Sequence, residues 1–263
     1  MMASPLPSRM ERVSSDTIIR GTMIEETYAA LREWKFDLGK QENLSRIQSS
    51  NAIGARSASW LKKACSVFRR RFDPNGRDRP LAELAQGGLA YEVWKPLMLW
   101  HMTRDEFLVR DFMTHWLFPH CQSGALRVRT DEIHPYLTGL HESGVVAQPW
   151  SHSTLVRLAS GLLKIATEFG LMKGRVIHEF TPYHLPESAF IYLLHAMAET
   201  HPNARAMVDS PDWRLFLLST DEVERELFRL HQFHKLHYEV AGSLAQLTLP
   251  SASARDYARE MLA

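Results

Sequence analysis

Between Leu61 and Phe72 the residues Leu61, Ala64, Cys65, Phe68 and Phe72 recur at i, i+3, i+4, i+7 and i+11. On a helical wheel they form one apolar stripe, and Lys62, Lys63, Ser66, Arg69 and Arg70 fall on the other side. That pattern demands an amphipathic helix docked to a core through its aromatics. Ser57 or Ser59 is the expected N-cap, and Asp73-Pro-Asn-Gly76 is a strong stop. The window Arg56–Arg79 holds eight basic residues and two acidic ones, a net +6 in a chain of +1, so everything else carries −5. The ordinary reading of such a run is a solvated helix face. The sharper one is a phosphate-contacting helix.

The same register returns at Leu155, Leu158, Ala159, Leu162 and Ala166. Upstream, Leu137–Gln148 lies over Leu44–Ala55, so both stretches read as helix, small-residue turn and Ser-capped second helix, the plan of a helix-turn-helix unit. A duplication and two independent helical hairpins both explain the match. The second copy lacks most of the charge: Arg157 and Lys164 hold the equivalent face. After Phe169, two short β-prone pieces around Lys173-Gly174 have the shape of a wing hairpin, with Lys173 and Arg175 on it.

The remaining patterns are also helical. Ile18–Trp34 carries two adjacent apolar rows and reads as one helix. Leu81–Trp100, interrupted by Gly87, Gly88 and Pro96, reads as one or two helices. Thr103-Arg-Asp-Glu106 has the form of a capping box opening a helix through Leu117 that Pro119 closes, and Thr130 is the expected cap of a helix over 133–142. Ser219-Thr-Asp-Glu222 is a second capping box, followed by a helix and then a hairpin around Ala241-Gly242. The expected fold is mostly α: a helical bundle with winged helix-turn-helix-like units and one or two small β-hairpins. Its expected organisation is a Pro/Ser-rich tail over 1–15, a helical domain over 16–128 with the basic unit, and a helical domain over 129–263 with the wing.

With 45% hydrophobic and 23% charged residues the chain is expected to fold rather than stay disordered. The two cysteines, Cys65 and Cys121, show no CxxC spacing and fit a reducing cytoplasm. No apolar run approaches the ~18 residues of a spanning helix, and the N-terminus lacks the apolar core of a secretory signal. No membrane partner is expected.

Chemistry finds little footing. Phosphate-cradling glycine loops and a nucleophile elbow are absent. His115, His120 and Cys121 cluster, and His231, His234 and His237 recur every third residue, but structural zinc asks for four convergent ligands. Asp105, Glu106 and Asp111 read as solvated or capping carboxylates, and Trp60 as a buried tryptophan ahead of an exposed stacking residue. No catalytic residue, metal or cofactor is expected. The candidate nucleic-acid contacts are Arg56, Lys62, Lys63, Arg69, Arg70, Arg71, Arg77 and Arg79. Arg157, Lys164, Lys173 and Arg175 form a secondary contact with nucleic acid or a partner.

Taken in order, the basic helix ending in Phe68–Phe72, the Trp-rich central stretch and the Trp150–Arg157 motif W-S-x-S-T-x-x-R mark the first two thirds. The helix ending at Glu168–Met172 and the Ser219–Leu230 and Tyr238–Pro250 segments follow. This series resembles the BrxA family, accessory proteins of BREX phage-defence systems, across residues 18–250. The resemblance implies a helical protein of winged helix-turn-helix character, no known catalytic activity, and nucleic acid as ligand. It also implies likeness to a helical RNA-binding antitermination factor. Two functions stand: a DNA-binding (or RNA-binding) module serving other proteins of the defence system, and a protein-interaction scaffold whose Arg-rich helix meets an acidic partner.

Overall fold

The computed structural model describes residues 13–242 and 244–263; the expected tail lies, through residue 12, outside the described residues. The first departure from expectation comes at once. The helix anticipated over 18–34 is two, α1 (Ser15–Arg20) and α2 (Ile24–Arg32), parted at Gly21 (φ 89°) and Met23 (φ 54°). The break lets α1 lie on a later helix at Gly161, where a Cβ would stand 3.0 Å from the Ile18 carbonyl oxygen.

The basic stripe folds as read. After α3 (Lys40–Ser50), α4 (Ala58–Arg71) starts at Ser57, whose Oγ accepts the Trp60 N–H at 3.2 Å. Leu61, Ala64, Cys65, Phe68 and Phe72 are all buried. Next come α5 (Arg79–Gln86) and α6 (Tyr91–Met102). α7 (Phe107–Asp111) runs through a π-helical stretch, Phe112–Leu117, into α8 (Phe118–Gln122). Pro119 therefore does not close this helix. Proline lacks the N–H and crowds the carbonyl one turn back, and the wider π turn ahead of it relieves both problems. The Thr103–Glu106 capping box is not made either: Thr103 Oγ1 donates to the Trp100 carbonyl at 2.8 Å, and the Glu106 carboxylate is used elsewhere.

The next unit holds every strand of the first sheet. β1 (Arg127–Arg129) leads through a 3-10 turn, Thr130–Ile133, into α9 (His134–Glu142) and then α10 (His152–Glu168). The turn has Arg129, not Thr130, at its N-cap, and the Glu132 carboxylate accepts the Arg129 N–H. Ser151 caps α10. β2 (Met172–Lys173) and β3 (Ile177–Phe180) form the expected hairpin, and β1 adds antiparallel to β3, giving the order β1-β3-β2. Arg127 sits opposite Glu179, and Arg129 opposite Ile177. Where this unit has a hairpin, the α3–α4 unit has only the Asp73–Arg79 loop, tied by the Asp78 carboxylate to the Asp73 N–H at 2.6 Å.

α11 (Glu187–Ala198), α12 (Ala204–Val208), a 3-10 turn (Pro211–Phe216) and α13 (Thr220–Gln232) complete most of the bundle. The Ser219–Glu222 capping box is formed, with Glu222 Oε2 accepting the Ser219 N–H at 2.8 Å. β4 (His237–Ala241) pairs antiparallel with β5 (Leu244–Thr248), and α14 (Ala254–Glu260) packs on α5 and α11. The fold is mostly α with two small antiparallel sheets, as the patterns require. One continuous core runs from Ile18 to Ala258. α11 has an unbroken buried stretch from Ala189 to Met197 and α6 one from Pro96 to Met102, the mark of central helices. Among the described residues no helix is long and apolar enough to cross a membrane.

Candidate nucleic-acid interface

α4 buries its apolar stripe together with Val67 and Arg71, and most of its other residues face out. Lys62, Lys63 and Arg69 are exposed, as is Arg56 just ahead of the cap. Lys62 and Arg69 are seven residues apart, two helical turns and about 10 Å along the same face. These four cations form no ion pair with the described residues. Three arginines fill the last turn, where positive charge complements the helix dipole.

The other four predicted contacts are drawn inward. Arg71 is wholly buried: its Nε meets Glu106 Oε1 at 2.9 Å, and its guanidinium donates to the carbonyls of Thr17 (3.0 Å), Gly21 (3.0 Å) and Thr22 (2.7 Å). The break between α1 and α2 leaves those carbonyls without helical donors, and one planar fork satisfies all three. Arg71 is thus a core residue and not a phosphate contact. Arg70 is half-buried, with its Nε 3.8 Å from Glu106. Arg77 pairs with Asp105, and Arg79 pairs with Glu83 at 3.0 Å while its guanidinium lies 4.5 Å above the Phe36 ring. The expected extension of the patch into the loop is therefore largely neutralised. Asp105 and Glu106, read as solvated, are buried at 4% and 1% exposure to balance these arginines. Trp60 corrects the opposite way. It stands at the surface, 36% exposed, with its indole N–H donating to Glu26 at 3.1 Å.

In the second unit Arg157 and Arg175 are exposed and form no ion pair with the described residues. Lys164 and Lys173 are also exposed but lie 3.5 Å from Glu168 and Glu179 respectively. Arg127 and Arg129 escaped the sequence reading. They flank the buried Val128 on β1 and stand exposed beside the hairpin. The alternation Arg-Val-Arg was a legible period-two signal, but three residues are too few to announce a strand.

A further cluster was not foreseen. His101 Nδ1 lies 2.7 Å from Asp78 Oδ1, and its Nε2 lies 2.9 Å from the Tyr192 hydroxyl. Burial, with Arg104 beside it, lowers His101 to about 4. Asp78 is held well below the usual carboxylate range, its burial outweighed by the His101 hydrogen bond and by Arg104. The line of carboxylate, imidazole and phenol looks like a catalytic relay, yet none of the three exposes more than 2% of its surface. It fastens the Asp73–Arg79 loop to α6 and α11. Two of the histidines considered as ligands have other partners: His120 stacks on Trp116, and His231 Nδ1 accepts the Tyr238 N–H at 3.1 Å. Among the described residues no three His, Cys, Asp or Glu side chains converge on a metal geometry.

The BrxA family model matches residues 14–196, from α1 into α11 and so across both helix pairs, α3–α4 and α9–α10. The chain belongs to the BrxA family. It is on that ground a BREX-associated protein, from a family of accessory proteins of phage defence not known as catalytic. The BrxA match is shorter than the anticipated resemblance over 18–250: α12, α13, the β4–β5 hairpin and α14 lie outside it. A comparison with curated proteins finds no match.

Proposed function

We propose that this BREX-associated protein is a non-catalytic, cytoplasmic binder of nucleic acid, double-stranded DNA in the first place, that serves other proteins of the defence system. The observation that carries the reading is the outward row Arg56, Lys62, Lys63 and Arg69, which has no carboxylate partner among the described residues while each neighbouring arginine has one. Cations left open on a helix face stay available to an external anion, whereas paired ones do not. A supporting feature is the order strand, helix, turn, helix, hairpin over residues 127–180, with sheet order β1-β3-β2, which resembles the arrangement of a winged helix. α10 is then its recognition helix, with Arg157 and Lys164 outward.

Electrostatic binding has a quantitative signature. Four phosphates neutralised give a slope of about −3.6 in log K against log salt, a loss of roughly a hundredfold between 50 and 200 mM. Fluorescence anisotropy of a labelled duplex over that range, for the wild type and for Lys62→Glu/Lys63→Glu/Arg69→Glu, tests it. The triple variant is expected to lose most of the affinity and most of the slope. Absence of wild-type binding at 50 mM salt, or unchanged binding by the variant, overturns the reading. An RNA competitor in the same assay decides which nucleic acid is preferred. A docking role alongside is favoured by exposed Phe228, Phe233 and Leu244 in the α13–β5 region. Those side chains suit an apolar protein partner and leave α4 free.

A further inference from the structure

The tip of the β2–β3 hairpin departs from the usual chemistry of exposed turns, which favours Gly, Asn, Asp and Ser. Val176 is 80% exposed and Ile177 45%, and Leu126, just ahead of β1, is 77% exposed. Nothing in the core uses these side chains. Positive charge rings them. Arg175 precedes Val176, Arg127 follows Leu126, and Arg129 stands opposite Ile177 with 66% of its side chain exposed. The nearby carboxylates are engaged: Asp131 lies 3.2 Å from Arg129 and Glu179 lies 3.5 Å from Lys173. Between the tip and α10 runs an open groove lined by Arg129, Thr130, Asp131, His134, Val156 and Val176.

On B-form DNA one sugar-phosphate strand separates a major groove from the next minor groove. A recognition helix in the first and a hairpin tip in the second straddle that strand, and this groove offers Thr130 and His134 to it beside the Arg129–Asp131 pair. Apolar side chains carried into the minor groove insert between base steps and kink the duplex, with neighbouring arginines on the groove walls. A purely electrostatic wing would need only Lys173 and Arg175; a valine between Arg175 and the sheet adds a wedge.

We propose that Val176, flanked by Arg175, is a minor-groove wedge that partly unstacks one base step of the duplex bound along α10. The proposal rests on the duplex-binding reading above, taken at its α10–hairpin unit rather than at the α4 face. It is tested with duplexes carrying 2-aminopurine at successive steps, and with end-labelled duplexes read by energy transfer for bending. Wild type is expected to raise the 2-aminopurine signal at one step and to shorten the end-to-end distance. Val176→Ser is expected to abolish both while changing affinity by no more than about tenfold, because unstacking costs free energy that the inserted side chain returns. Wild-type binding without unstacking or bending overturns the wedge and leaves duplex binding standing, as does a Val176→Ser variant that still unstacks. Absence of wild-type binding overturns both. Sedimentation of the free protein covers the competing occupant: a dimer lost in Val176→Ser, with the DNA signals unchanged, assigns the tip to a second copy of the chain and overturns the wedge.

Discussion

Two arginines separated by one residue offer the sharpest test of the structure. Arg69 is exposed, whereas Arg71 has 1% of its side chain exposed and ends against a Glu106 carboxylate that is equally buried. Arg71→Ala strips Glu106 of its 2.9 Å partner and leaves the carbonyls of Thr17, Gly21 and Thr22 without the donors they have now. Removing one member of a buried pair costs about 3–5 kcal/mol, most of it the penalty of the charge left behind. Against a typical total of about 5–15 kcal/mol, that is a large share. Arg69→Ala removes a solvated charge and is expected to stay within about 0.5 kcal/mol. In urea unfolding followed by circular dichroism, with a slope of ~3 kcal/mol/M for a chain of this size, Arg71→Ala moves the midpoint down by about 1–1.7 M. Arg69→Ala leaves it in place. The double variant Arg71→Met/Glu106→Gln is expected to cost less than the sum of its parts, because the stranded charge is gone. An Arg71→Ala midpoint within ~0.3 M of wild type would refute the claim that this arginine belongs to the core.

Acid should loosen the fold before the carboxylates titrate. Burial, helped by Arg104, holds His101 at about 4, and burial holds His195 at about 4 despite Glu260 and Asp256 nearby. Unfolded histidines protonate near ~6.5, so the unfolded chain binds more protons between those values, and stability is full above ~6.5 and falls as pH drops toward 4. Thermal melts from pH 7.5 to 5 are expected to decline, less steeply in His195→Phe; equal midpoints at pH 7.5 and 5 would contradict this. Gly174→Ala should damage the wing, since φ is +108° there and a Cβ would fall 2.1 Å from the Ile177 carbonyl oxygen. A loss of roughly 1–3 kcal/mol is expected, with faster hydrogen exchange at Ile177–Phe180 and little change in α4; unaltered exchange in the hairpin speaks against that geometry.

Short runs of neighbouring residues encode the local elements of this chain. The α4 stripe, the Ser57 and Ser219 caps, the two hairpins and the paired helical units all rest on periods, caps and turns spanning about a dozen residues, and all are present in the structure. Arg71 was half legible: three residues after Phe68 and seven after Ala64, it shares their side of the wheel, and only its charge argued for the surface. Whether a charge can be buried depends on a partner from elsewhere. Glu106 lies 35 residues further on, and the carbonyls that Arg71 satisfies come from a break some 50 residues earlier. The break itself serves the approach of α1 to Gly161, a contact across the fold. β1 belongs in the same class: three residues become a strand because β3 offers an edge. Tertiary structure alone decided which cations of Arg56–Arg79 are spent inside, because Coulomb pairing and desolvation act through space and ignore position in the chain. Those left outside, Arg56, Lys62, Lys63 and Arg69, are the ones that can meet a phosphate.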